Sequence, residues 1–162
     1  MSKLDLVLIN PGSRTQVYQS LGSQLTALDL IEAMHLRNLV TRRMGLFFSQ
    51  YDILLNPTLP ALPPLIGHYN EGQALLDGRG WMDRVFSHSP FTALANVTGS
   101  PSMSMPLAVD RHSGLPIGLQ FSAGFGREAP LLRLAAQLER ALPWAGRTPG
   151  AWVASSTSGV PA

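Results

Sequence analysis

Cysteine is absent from the 162 residues, and lysine occurs once, at Lys3. The first absence removes disulfides, thiol nucleophiles and thiolate metal sites. The second leaves a serine–lysine proton relay almost nowhere to come from. Charged residues are scarce too, at 14% against about 25% in ordinary soluble domains. The net charge is only +2, and no basic run extends beyond Arg42-Arg43. An electrostatic footprint for nucleic acid is therefore missing. The longest apolar stretches, such as residues 6–9, fall far short of the ~20 residues of a membrane span. The N-terminus does not have the form of a secretion signal. These absences lead us to expect one cytoplasmic globular unit, bound neither to membrane nor to nucleic acid. Its surface carries too little charge for its length.

What is present is patterned. Apolar residues make up 45% of the chain. Residues 26–50 read as a helix: Thr26 and Asp29 have capping-box spacing, and Leu36, Val40, Met44 and Phe47 form one apolar stripe. That stripe marks a core-packing element. Residues 52–56 read as a short buried strand stopped by Pro57. From Pro57 to Pro101 the chain is rich in Pro, Gly, Asn and His, with brief helical pieces near 81–86 and 91–96. Segments this long and irregular are usually functional or disordered, and Tyr69, Trp81 and Phe86 argue against disorder. Two runs of period two, 102–109 and 115–122, flank the turn residues 110–114 and predict an antiparallel hairpin. A proline inside each run points to an edge, an end or a bulge. Residues 128–142 read as a second helix with Leu131, Leu134, Ala135, Leu138 and Leu142 on one face. Residues 150–162 form a small, polar tail, and a flexible one is expected.

Several residue groups touch on chemistry without completing it. Gly124, Gly126 and Ala129 match the dinucleotide pattern G-x-G-x-x-A, but a strand-to-helix turn needs glycine there anyway. No acidic residue follows Glu139 to hold a ribose. His35, His68, His88 and His112 lie at wide intervals with no ligand spacing, so no metal site is read. The G-x-S-x-G elbow is missing, and the adjacent pair Ser155-Ser156 sits in the tail. No catalytic residue and no cofactor is assigned from these letters.

Taken in order, YDILLNPT at 51–58, FTALANVTGSP at 91–101, MPL at 105–107 and GLPIGLQ at 114–120 form one pattern. With residues 128–139 and Pro143-Trp144, they resemble the C-terminal third of the amidase signature family over roughly residues 12–149. The wording LRLAAQLE at 132–139 leans toward its 6-aminohexanoate cyclic-dimer hydrolase branch. Asn56 and Ser102 depart from the Thr and Ala often found at those places.

The resemblance implies an α/β fold: the C-terminal part of a mixed sheet with a β-hairpin and flanking helices, over residues 1–149. It also implies amide hydrolysis by a Ser–cis-Ser–Lys triad, with backbone N–H groups of a Gly/Ser-rich loop holding the oxyanion. In the family that machinery lies upstream of the matched part, and neither a Gly-Gly-Ser-Ser run nor an internal lysine occurs here. The expected role is an amidase fragment or subunit, inactive alone. Its partner would be the missing N-terminal portion, in cis or in trans, and a small amide would be substrate only once the two are joined. Self-association through uncovered surface is a further expectation, and a dinucleotide-binding domain is the remaining alternative. Phe91, Thr92, Asn96 and Thr98 are the substrate-pocket candidates, although Phe91 also suits a core, and Asn96 and Thr98 suit a turn brace.

Overall fold

The computed structural model describes residues 22–147. Lys3, the apolar run at 6–9, Ser155-Ser156 and the tail at 150–162 lie outside the described residues. Helix α1 runs Ala27–Phe48, and strand β1 Leu54–Pro57 follows it. Helices α2 (Gly78–His88) and α3 (Thr92–Thr98) come next, after two 3-10 turns at His68–Asn70 and Gln73–Leu75. Strands β2 (Ser102–Val109) and β3 (Pro116–Ser122) form the hairpin, and helix α4 (Glu128–Ala141) closes the described order.

Strand order is β1-β3-β2, antiparallel throughout, so β3 is paired on both edges. The α/β expectation holds, and the described share of the sheet consists of antiparallel pairs. Pro106 lies where the β2–β3 register shifts between Met105 and Ala108, and Pro116 begins β3. Both prolines thus fall where a missing N–H breaks no ladder. In the turn, the Asp110 carboxylate accepts from the Ser113 hydroxyl at 2.6 Å and the Ser113 amide at 2.7 Å. Those two bonds favour the charged form and hold the carboxyl below its ordinary value of 3.8. Their stabilisation is present above that value and is lost as pH falls through the lowered pKa.

The alternation of β2 and β3 sorts side chains onto two faces. Met103 faces Phe121 and Met105 faces Leu119, and α4 packs on this apolar side. Met105, Phe121, Ala123 and Leu131 form the buried cluster, flanked by Leu134, Ala135 and Leu138. The helical stripe read from the sequence is thus the packing face of α4, apart from Leu142, which is exposed. The opposite face of the sheet carries Ser102 and Ser104 across from Ser122 and Gln120. Ser102 Oγ and Ser122 Oγ are 2.7 Å apart.

Helix α1 starts as its sequence dictates. The Thr26 amide donates to Asp29 Oδ2 at 2.7 Å, and the Asp29 amide donates to Thr26 Oγ1 at 3.2 Å. Its packing differs from expectation. No residue of α1 is buried, and of the expected stripe Val40, Met44 and Phe47 are half-buried while Leu36 is exposed. The sequence pattern identifies an apolar stripe, not what covers it. Strand β1 likewise alternates half-buried and exposed residues, because little among the described residues covers its outer side.

The long segment is ordered by one aromatic cluster. Trp81 is buried, Tyr69 meets its ring edge-on at 5.7 Å, and His88 meets Tyr69 at 4.6 Å. Arg84 Nη1 donates to the carbonyls of Tyr69 at 3.2 Å and Glu71 at 2.7 Å, fastening the preceding loop to α2. The brief helix expected at 81–86 is therefore longer, begun by Asp77 accepting from the Gly80 amide at 2.8 Å.

Because Leu131 is 4% exposed and Leu132 is 69% exposed, adjacent substitutions separate core from surface. Leu131→Ala is expected to cost about 2–5 kcal/mol in urea unfolding. Leu132→Ala is expected to change stability by less than about 0.5 kcal/mol.

Candidate functional site

The four pocket candidates occupy the start and length of α3. Phe91 caps the helix, half-buried, and Thr92 opens it, its hydroxyl donating to the Ser89 carbonyl at 3.1 Å. Asn96 is exposed on the same short helix. Thr98, the last residue, is buried, its hydroxyl donates to the Leu94 carbonyl at 2.9 Å, and its Oγ1 lies 2.9 Å from Ser100 Oγ. Phe91 and Thr98 meet in a crevice with Met44, Phe48, Leu54 and Ser122, while Thr92 and Asn96 do not line it. The crevice measures about 10 Å³, room for no more than one water molecule. Among the described residues, Thr92 and Thr98 brace backbone carbonyls, and Phe91 fills space between α3, α1 and the sheet.

A roomier cleft lies at the other end of β1, which sequence reading passed over. It has a volume of about 400 Å³ and runs along residues 57–63, with Ser104, Pro116, Ile117 and Gly118 as its far wall. Thr58 Oγ1 and Ser104 Oγ lie 2.5 Å apart, and the Thr58 amide donates to the Gly118 carbonyl at 2.9 Å. A Cβ at Gly118 would lie 2.8 Å from Thr58 Oγ1 and 3.0 Å from Ser104 Oγ, so only glycine admits the hydroxyl pair. The only hint in the sequence was Ser104 falling in the polar phase of β2 beside a threonine that follows Pro57.

Chemically, both sites are spare. Neither is lined by a carboxylate, an imidazole or an amine, so neither supplies a general base. His88 has its Nδ1 3.0 Å from the Arg84 carbonyl oxygen. The serines on either side of it, Ser87 and Ser89, donate to the carbonyls of Arg84 and Val85. Among the described residues, no three His, Asp or Glu side chains converge as metal ligands, and no helix is long and apolar enough to cross a membrane. At Gly124, the open space a phosphate would need is occupied by Phe48, whose Cβ would lie 3.3 Å from an added Cβ. The Arg127 guanidinium at the start of α4 meets Asp52 at 3.3 Å. Glycine at 124 thus serves the packing of α1 against the strand-to-helix turn.

The amidase family pattern matches residues 13–132 of this sequence. The chain belongs to the amidase family. The AmiC protein of Mycobacterium leprae is 46% identical over 112 residues, which is 69% of this chain and 23% of that protein. The 6-aminohexanoate-cyclic-dimer hydrolase of Paenarthrobacter ureafaciens is 39% identical over 102 residues, covering 61% of this chain and 20% of that enzyme. The solved structure of a 6-aminohexanoate cyclic dimer hydrolase superposes with a TM-score of 0.70 at 31% identity, covering 85% of this chain and 29% of that one. A bacterial aryl acylamidase of the amidase signature family gives a TM-score of 0.57 at 28% identity, covering 83% of this chain and 28% of its own. The chain therefore spans under a third of the length of these relatives. Its resemblance to the amidase signature fold holds in sequence and in three dimensions.

Substitution at Gly118 tests the tight wall of the cleft. Gly118→Ala is expected to cost about 1–3 kcal/mol by overpacking against the hydroxyl pair. Adding Thr58→Ala, which removes the nearest atom, should recover part of that loss in thermal or urea unfolding.

Proposed function

We propose that this chain is the C-terminal supporting portion of an amide hydrolase of the Ser–cis-Ser–Lys type, without activity until joined to an upstream portion. The observation that carries this reading is a pairing of two facts. The chain matches amidases over most of its length yet spans only 23% of the AmiC protein, and its one lysine is Lys3. The upstream portion would bring the nucleophile, the bridging serine, the lysine that accepts the proton and the N–H groups that hold the oxyanion. This portion would bring the hairpin, α4 and the long loop that shape the substrate side. The proposed pocket wall is the segment of Phe91, Thr92, Asn96 and Thr98. The side chain of Asn96 is exposed and open to a ligand, and Phe91 presents a partly open ring.

The proposed substrate is a small amide, linear or cyclic. Support comes from likeness to a 6-aminohexanoate cyclic dimer hydrolase at 31% identity in structure. Joining in cis within a longer polypeptide and joining in trans as a subunit make the same chemical demand.

Incubating the purified chain with small linear and cyclic amides should give no turnover, and a serine-directed fluorophosphonate should leave it unlabelled. Mixing it with a polypeptide bearing the Gly/Ser loop and lysine should restore labelling on that polypeptide. Turnover or labelling by the chain alone would overturn the reading.

A further inference from the structure

Helices α1 and α4 differ in a way that assigns them different places in a finished protein. Helix α4 is one-sided: Leu131, Leu134, Ala135 and Leu138 pack on the sheet, while Arg133, Gln137 and Arg140 are on or toward the solvent side. Helix α1 is not. Ala33, Leu36 and Val40 border a cleft shared with Ala93 and Val97 of α3, and Met44 and Phe48 border the crevice by Phe91. Further apolar residues continue round the helix. Leu28, Leu39 and Leu46 lie within about 20° of one another at 3.6 residues per turn, with Ile31 one edge further on. These three leucines lie about a third of a turn from Val40 and nearly half a turn from Met44. Leu28 is 63% exposed and Leu46 is 70% exposed, and Ile31 and Leu39 are exposed as well. Apolar residues on two sides of one helix call for cover on both. Among the described residues, α1 has neighbours for one side only.

We infer that the Leu28, Ile31, Leu39 and Leu46 stripe of α1 is the seat of the upstream amidase portion, so that α1 lies between that portion and α3. This inference rests on the reading above and adds where the two portions meet. Two observations name the occupant. The family match begins at residue 13 and the matched segment is only 23% of the AmiC protein, so α1 is the first described helix of the matched region and most of such a relative lies outside it. The stripe is also interrupted by His35 and Arg42 and bordered by Glu32. A partner there must match an apolar ridge crossed by an arginine and an imidazole, as a surface with acidic or carbonyl groups at those points would.

The probe is the upstream part of the Mycobacterium leprae AmiC protein, ending where the matched segment begins, made as a separate polypeptide. The variant Leu28→Asp with Leu46→Lys places an acid near the N-terminus of α1 and a base near its C-terminus, charges that the helix tolerates. Both side chains are exposed, so helicity by circular dichroism should match the unmodified chain. We expect a one-to-one complex with the unmodified chain by light scattering and an affinity at least about tenfold weaker for the double variant. Leu132→Asp, on the exposed side of α4, should bind within about twofold of the unmodified chain. Undiminished binding by the double variant would overturn the seat while leaving the supporting-portion reading in place. Absence of any complex with the unmodified chain, when the AmiC part is shown by circular dichroism and a cooperative melt to be folded, would overturn both. A homodimer of the chain that the double variant disperses, with no complex formed, would assign the stripe to a second copy and overturn the inference.

Discussion

Strand β3 is hydrogen-bonded along both edges, to β1 on one side and β2 on the other, and its Leu119 and Phe121 form the floor under α4. The rest of the described structure hangs on that strand. The hairpin turn fixes its register with β2, and the Gly124 turn carries the chain directly from its end into α4. Around this centre the buried apolar set among the described residues is small: Met105, Phe121, Ala123 and Leu131, with Trp81 buried apart from them in the aromatic cluster. A core of that size leaves little surplus against the entropy of ordering the chain. Helix α1, whose apolar residues exceed what α3 can cover, contributes half-buried side chains but no fully buried one.

Function follows from the same division. The clefts at Thr58 and at Phe91 offer hydroxyls and apolar walls and no titratable group. Surfaces of that composition cannot move a proton. An upstream portion with a lysine and an oxyanion loop would supply what is lacking. The polar face of the sheet, with Ser102 paired to Ser122, faces away from α4, and its Gln120 and Ser122 are buried.

Much of the fold was legible from residue order. The capping pair Thr26 and Asp29, the alternation on both sides of residues 110–114 and the stripe on α4 are local signals, and each formed as its chemistry dictates. Pro106 marked the bulge because a residue without N–H must sit where no ladder bond is lost. Helix α2 runs longer than its apolar letters suggested because Asp77 begins it two residues before Arg79 and Arg84 ties it to a distant loop. The half-exposed state of α1 and β1 was not legible. An apolar stripe reports that a face wants cover, and only the spatial neighbours say whether cover is present. The cleft at Thr58 escaped notice for a similar reason: it depends on the 46-residue separation between Thr58 and Ser104 being closed by the sheet. The family resemblance, in contrast, was carried by short segments in fixed order, which a single sequence displays in full.

The central claim is that the sheet with α4 is self-sufficient and α1 is not. Amide hydrogen exchange on the isolated monomer tests it most directly. The account predicts strong protection along β3 and the face of α4 around Leu131, with α1 exchanging at least about tenfold faster. Protection of α1 equal to that of β3 in a verified monomer would contradict it.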